Sequence, residues 1–186
     1  RKINSEDVMK PNIICILSDQ QRWDTLGCYG QKLPVSPNLD RMAEEGVRFE
    51  HAFTCQPVCG PVRSSLQTGK YPTQVGCETN GRHLPLDADT LARRMTAAGY
   101  KTGYIGKWHL ASGPNRFDEG VAPNYRVLPV PEKFRGGYDY WLASDVLEYT
   151  SHAYDGHMFD NEGNARFFKP LRYRVDAQTD WVEEYL

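Results

Sequence analysis

Five apolar residues in unbroken succession, Ile13-Ile14-Cys15-Ile16-Leu17, set the tightest limit on what this chain can fold into. A strand with one wet face alternates apolar and polar residues, whereas a continuous run belongs in a sheet covered on both sides. Residues 12–18 are therefore expected to form a buried strand with Cys15 inside it, ending in Ser18-Asp19-Gln20-Gln21. Acidic and amide groups at the carboxyl end of a central parallel strand stand where open α/β sheets bind ligands, although Asp19 taken alone reads first as a cap of the turn that follows.

Later segments continue the alternation of strand and helix. Ser36-Pro37 opens and Gly46 closes a helix whose apolar stripe is Leu39, Met42 and Ala43. Residues 47–53 alternate as a strand does, and residues 61–68 read as a short helix with Leu66 packed inward and Gly69 as terminator. Asp89 or Thr90 caps another helix through Leu91, Met95 and Ala98, ended by Gly99. Residues 100–106 and 138–142 read as strands, and a helical pattern runs from Asp176 through Trp181 and Tyr185 to Leu186. Between 113 and 137, Pro, Gly and Asn interrupt any regular element, which predicts a long surface excursion and a candidate pocket wall. The order of elements implies an α/β fold, a mostly parallel sheet sandwiched by helices, with no linker separating two domains.

Composition narrows the function classes. A formal charge of -2 leaves no basic footprint for nucleic acid, and no apolar run is long enough to span a bilayer. The first ten residues carry basic groups without the apolar segment of a signal peptide, which favours a cytoplasmic location over export. Five cysteines are an odd number in a chain large enough to need no staples, so a disulfide framework is not expected. Cys55 and Cys59 lack the second Cys or His pair of a structural zinc site. Oligomeric state is left open.

The chemistry concentrates in Cys59-Gly60-Pro61-Val62-Arg63. The cysteine precedes a predicted helix start, Pro61 suits a first helical turn, and Arg63 at i+4 projects from the face that carries Cys59. Free N–H donors, partial positive charge and a guanidinium fork together make an anion site. A thiolate nucleophile is one reading, but cysteine-dependent phosphatases space Cys and Arg by five residues, and here three intervene.

Cys59, Pro61, Arg63, Leu66, Thr68 and Gly69 resemble the signature of the type I sulfatases, whose cysteine is oxidised after translation to formylglycine. Pro11-Asn12-Ile13-Ile14 with Asp19-Gln20 resembles that family's first strand and metal pair, Ser36-Pro37-Asn38-Leu39-Asp40 its helix start, and Gly106-Lys107-Trp108-His109 its second signature. The resemblance spans residues 11 to 110 in the family's own order and implies an alkaline-phosphatase-like sandwich.

The resemblance also implies roles. A hydrated aldehyde at position 59 carries two hydroxyls, one to attack sulfur and one to release the sulfate. Asp19, Gln20 and the position-59 oxygens would hold a divalent cation, calcium first and magnesium second, since all are oxygen donors. Arg63 would hold the modified side chain, and Lys107 and His109 would contact the sulfate and the leaving oxygen. Two residues apart on an extended segment, Lys107 and His109 would share a face. The implied partners are a small-molecule or carbohydrate sulfate ester and a formylglycine-generating or sulfatase-maturating enzyme.

Departures from the pattern keep alternatives in view. Gln20 replaces the usual second Asp and Val62 the usual serine. Related enzymes with Asp-Gln hydrolyse phosphonate monoesters or phosphodiesters. On residue type alone, Lys107 and His109 suit an ordinary strand end, and Arg63 suits a solvated helix. Family members are also longer, with further metal ligands, a second histidine and a second lysine in their later half. Residues 1–186 would then be the N-terminal part of a single catalytic domain, inactive alone, with an incomplete sandwich.

Overall fold

The computed structural model describes residues 10–186, which fall into two units, one ending at Ala52 and the other comprising Phe53–Leu186. The signal-peptide reading rests mainly on residues 1–9, outside the described residues.

Among its described residues the first unit contains one helix, α1 (Pro37–Glu45), and two 3-10 turns, Trp23–Thr25 and Gly27–Tyr29. Pro37 opens α1 as expected, at a position whose N–H would lack a helical partner anyway. Ser36 does not cap the helix with its side chain. Its hydroxyl accepts the Gly27 N–H at 2.9 Å and donates to the Asp40 carboxylate, whose Oδ1 accepts the Cys28 N–H at 2.7 Å. The helix start is thereby pinned to the preceding turn.

Two expected strands are absent from this region. Residues 12–18 take no strand and are exposed, Cys15 among them and Ile16 to 82%. Residues 47–53 are likewise irregular. A run of apolar residues becomes a buried strand only where ladder partners and two covering layers exist, and the first unit contains no strand among its described residues. Leu39 and Met42 on α1 are also exposed.

The second unit holds a four-stranded sheet in the order β1 (Gly103–Lys107), β2 (Tyr140–Ser144), β3 (His157–Phe159), β4 (Ala165–Phe167). β1 and β2 are parallel with Gly103 opposite Tyr140 and Lys107 opposite Ser144, while β3 and β4 add antiparallel. The sheet is mixed. β2 is the strand buried on both faces. Trp141 contributes to a core with Trp108, Leu110, Val130 and Phe134, and its neighbour Leu142 to a second with Met158, Phe168, Ala177 and Trp181. Adjacent residues of a strand point to opposite faces, so one strand nucleates both cores.

α2 (Cys59–Thr68) begins two residues before the expected start and ends at Gly69 in the left-handed conformation. Its Leu66 is 49% exposed instead of inward; the buried positions are Gly60, Pro61, Arg63, Ser64, Gln67 and Thr68. The buried face of α2 is thus a polar one whose groups find partners: the Gln67 amide oxygen accepts from the Tyr138 hydroxyl at 2.9 Å, and the Ser64 hydroxyl donates to the Pro61 carbonyl at 2.7 Å. α3 (Leu91–Ala97) is capped by Thr90, whose hydroxyl accepts the Arg93 N–H at 3.2 Å, and it buries Ala92 while Leu91 stays exposed. α4 (Arg174–Tyr185) supplies Ala177 and Trp181 to the second core.

Residues 113–137 are irregular apart from one 3-10 turn, Glu132–Phe134, but they are no mere surface excursion. Asn115, Val130, Phe134 and Arg135 are buried. The Asn115 amide donates to the carbonyls of Val75 at 2.9 Å and His83 at 2.6 Å, so side chains satisfy the backbone that regular structure would otherwise pair. The Trp108 indole N–H donates to the Phe134 carbonyl at 3.0 Å. Gly136, at φ +66°, lets this ring approach, since a Cβ there would lie 2.9 Å from the indole.

Candidate active site

Cys59 is the first residue of α2, so it stands where the helix presents N–H groups that lack intrahelical partners and partial positive charge. Val58 precedes it in an extended conformation and gives no side-chain cap. Asn80 substitutes for that cap in part, since its Oδ1 accepts the Gly60 N–H at 2.7 Å. A Cβ on Gly60 would lie 3.1 Å from that oxygen and 3.4 Å from the His109 carbonyl, so glycine allows the helix start to approach the chain leaving β1.

Arg63, one turn into α2, is 7% exposed. Its Nη1 donates to the Lys107 carbonyl at 2.6 Å and to the Tyr104 hydroxyl at 3.3 Å, and that hydroxyl donates to the same carbonyl. The guanidinium therefore ties the helix to the carboxyl end of β1. Cys55, upstream of the helix, lies 3.1 Å from the Ser65 hydroxyl through its sulfur.

The parallel ladder between β1 and β2 continues past both strands. The Trp108 N–H donates to the Ser144 carbonyl at 2.9 Å and the His109 N–H to the Asp145 carbonyl at 2.7 Å. His109 has φ +59°, a left-handed conformation uncommon for a residue with a Cβ. Lys107 and His109 thus do not share a strand face as expected: the strand ends at Lys107, and the backbone turns at His109 because its N–H reaches the second strand's continuation. Lys107 Nζ donates to Glu148 Oε1 at 2.7 Å, with the lysine side chain 9% exposed and the glutamate largely exposed.

Electrostatics set the state of His109. Burial pushes its imidazole below the ordinary value of 6.5, and the Lys107 and Arg63 cations push the same way, while Asp145 and Glu148 oppose them. The ring is neutral near pH 7 and can donate from one nitrogen. Nδ1 is buried without a hydrogen-bond partner.

Cys59, Arg63, Lys107 and His109 are therefore brought together by the second unit. Asp19 and Gln20 belong to the first unit, exposed, with Gln20 at φ +51°. Both offer hard oxygen donors of the kind calcium or magnesium takes. Among the described residues, however, no group of three His, Cys, Asp or Glu side chains is placed to hold a metal ion. The donors suit such an ion in kind but not in number. Sequence reasoning missed Tyr104, Asn80, Asp145 and Glu148. Asp145 had a usable signal, an acidic residue at the carboxyl end of a strand, the same logic applied to Asp19.

A helix N-terminus carrying a cysteine, an arginine bridging it to a parallel strand end, a lysine at that end and a histidine beyond it together offer the N–H donors and positive charge that suit an anion. Residues 11–169 match the family model described as Sulfatase, so the chain belongs to the sulfatase family. It is 39% identical over 179 residues to an ulvan-active sulfatase of Formosa agariphila, covering 94% of this chain and 32% of that protein. It is 34% identical over 156 residues to human arylsulfatase A, covering 71% of this chain and 31% of that protein.

Among solved structures, a complex of BT4656 with its substrate D-glucosamine-2-N,6-O-disulfate superposes with a TM-score of 0.67 at 28% identity, covering 87% of this chain and 28% of that one. Ps i-CgsB gives 0.71 at 23% identity, covering 95% and 42%, and speaks for the fold alone. The fold is the alkaline-phosphatase-like one of the family. This chain spans about a third of the length of these two curated relatives. The family works with a formylglycine and a divalent metal.

Proposed function

We propose that this protein hydrolyses a sulfate ester, ROSO3- + H2O giving ROH + HSO4-, with the side chain at position 59 as nucleophile after conversion of Cys59 to formylglycine. The observation that carries the reading is the bond from Arg63 to the Lys107 carbonyl, which holds the Cys59 helix start and the Lys107-Trp108-His109 segment as one assembly. The formylglycine, once hydrated, supplies a hydroxyl for attack and a second whose deprotonation expels the sulfate.

The remaining work falls to the chain's own residues. Arg63 holds the position-59 side chain and offsets negative charge. Lys107 meets the sulfate as a fixed cation, exchanging Glu148 for the substrate anion. His109, neutral near pH 7, donates its N–H to the bridging oxygen as the alcohol leaves. Asp19 and Gln20 contribute oxygen donors to a divalent cation, calcium by preference, completed by donors beyond the described set. Relatives named for carbohydrate sulfates, such as the N-acetylglucosamine-6-O-sulfatase of Bacteroides thetaiotaomicron, favour a sulfated sugar as substrate. Maturation requires a formylglycine-generating or sulfatase-maturating partner.

Sulfate release from sulfated sugars and an aryl sulfate by the full-length protein tests the reading, with a phosphonate monoester as comparison. Cys59→Ala is expected to abolish release. Retained turnover in that variant, or turnover of the phosphonate alone, overturns it.

Residues 1–186 are further proposed to be the N-terminal part of a single catalytic domain. Exposed Ile13, Ile16, Met42 and Phe49 support this, since apolar side chains in such number ordinarily meet a covering layer. A polypeptide of residues 1–186 alone should then turn over no ester, and turnover by it would contradict the proposal.

A further inference from the structure

Asp145 is a buried carboxylate whose charge acts on the proposed leaving-group donor. It follows β2 directly, is 1% exposed, and bonds to the chain beyond β1 at two points. Its carbonyl accepts the His109 N–H at 2.7 Å and its Oδ1 accepts the Ala111 N–H at 2.9 Å. Those two bonds bracket the left-handed residue His109, so a conformation a side chain rarely adopts is held from both sides. Each residue also retains one buried polar atom without a partner, Oδ2 of Asp145 and Nδ1 of His109. The two atoms are not bonded to each other, so the carboxylate acts on the ring through its charge.

We propose that Asp145 is the positioning residue of His109: it fixes the turn through Oδ1 and its main chain, and its buried negative charge stabilises the ring when that ring carries the proton for the leaving oxygen. The inference deepens the reading of His109 as donor to the leaving oxygen and rests on it. To give a proton to that oxygen without becoming an anion, the neutral imidazole must first take one up, and the position-59 hydroxyl releases one as it attacks. A carboxylate behind the ring assists that uptake against two nearby cations. The groups facing His109 are Lys107 and Arg63 with positive charge, and Asp145 and Glu148 with negative.

The test compares wild type with Asp145→Asn and Asp145→Ala in the full-length protein, using isotope-labelled histidine and His109→Ala to assign the resonance. Asn keeps an acceptor for the Ala111 N–H, so a purely structural role leaves Asp145→Asn like wild type. The proposal predicts that the His109 titration midpoint moves down in Asp145→Asn. It also predicts a fall in kcat of about 10- to 100-fold with KM little changed, part of what a positioned acid supplies. An unmoved midpoint in folded Asp145→Asn overturns the proposal whatever the rate. If the midpoint moves while His109→Ala retains full turnover, the coupling stands and the donor role of His109 fails.

Discussion

The Arg63 guanidinium donates a 2.6 Å hydrogen bond to the main-chain carbonyl of Lys107, joining the helix that starts at Cys59 to the end of β1. A charge-assisted bond from a buried side chain is worth more than an exposed ion pair, and its loss would leave the Lys107 carbonyl with the Tyr104 hydroxyl as its remaining side-chain donor. Arg63→Ala should therefore cost about 1–3 kcal/mol of stability in denaturant unfolding and abolish sulfate release. Arg63→Lys should recover little of either, since the shorter lysine side chain does not carry its ammonium to the position from which Nη1 meets both the Lys107 carbonyl and the Tyr104 hydroxyl. Near wild-type turnover in Arg63→Ala would remove Arg63 from the site.

Acid should weaken the fold through His109. Its folded-state value lies below the ordinary 6.5, with burial as the main cause. The unfolded chain then binds the proton more readily, and stability rises with pH across that window. The contribution is complete above about pH 6.5 and is lost as pH falls through the folded value. His109→Asn should flatten this part of the stability profile below about pH 6.5; an unchanged slope would show that His109 does not titrate as described.

Cys77 should be inert in the native protein. Burial first, and then the neighbouring Glu78 carboxylate, push its thiol up to about 12, and its sulfur lies 3.3 Å from the His83 carbonyl. Thiolate is the reactive form, so alkylation at about pH 8 should label Cys77 only after unfolding, as read by peptide mapping. Labelling of Cys77 at the rate of exposed Cys55 would contradict this placement.

Much of the site was legible because it is local. Cys59, Pro61 and Arg63 lie on one helical turn, Gly69 stops that helix in the left-handed conformation, and Lys107-Trp108-His109 follows a strand. The inward placement of Leu66 failed because periodicity gives the spacing of a face and not what lies opposite it; α2 buries polar residues that find hydrogen-bond partners inside. Residues 12–18 failed for another reason. A buried strand is a property of its neighbours as much as of its own apolar run, and β2, with its two cores, had the neighbours. Tyr104, Asn80 and Glu148 act across 41, 20 and 41 positions of sequence, and no local pattern marks such pairs.

Peptide mass spectrometry across Cys59, on full-length protein made in cells that mature sulfatases, decides whether position 59 carries the proposed nucleophile. Formylglycine there would make the peptide lighter by one sulfur and two hydrogens and heavier by one oxygen, whereas ordinary cysteine oxidation only adds mass. The aldehyde mass is expected in protein that releases sulfate. An unmodified Cys59 in fully active protein would refute the assignment of formylglycine as nucleophile.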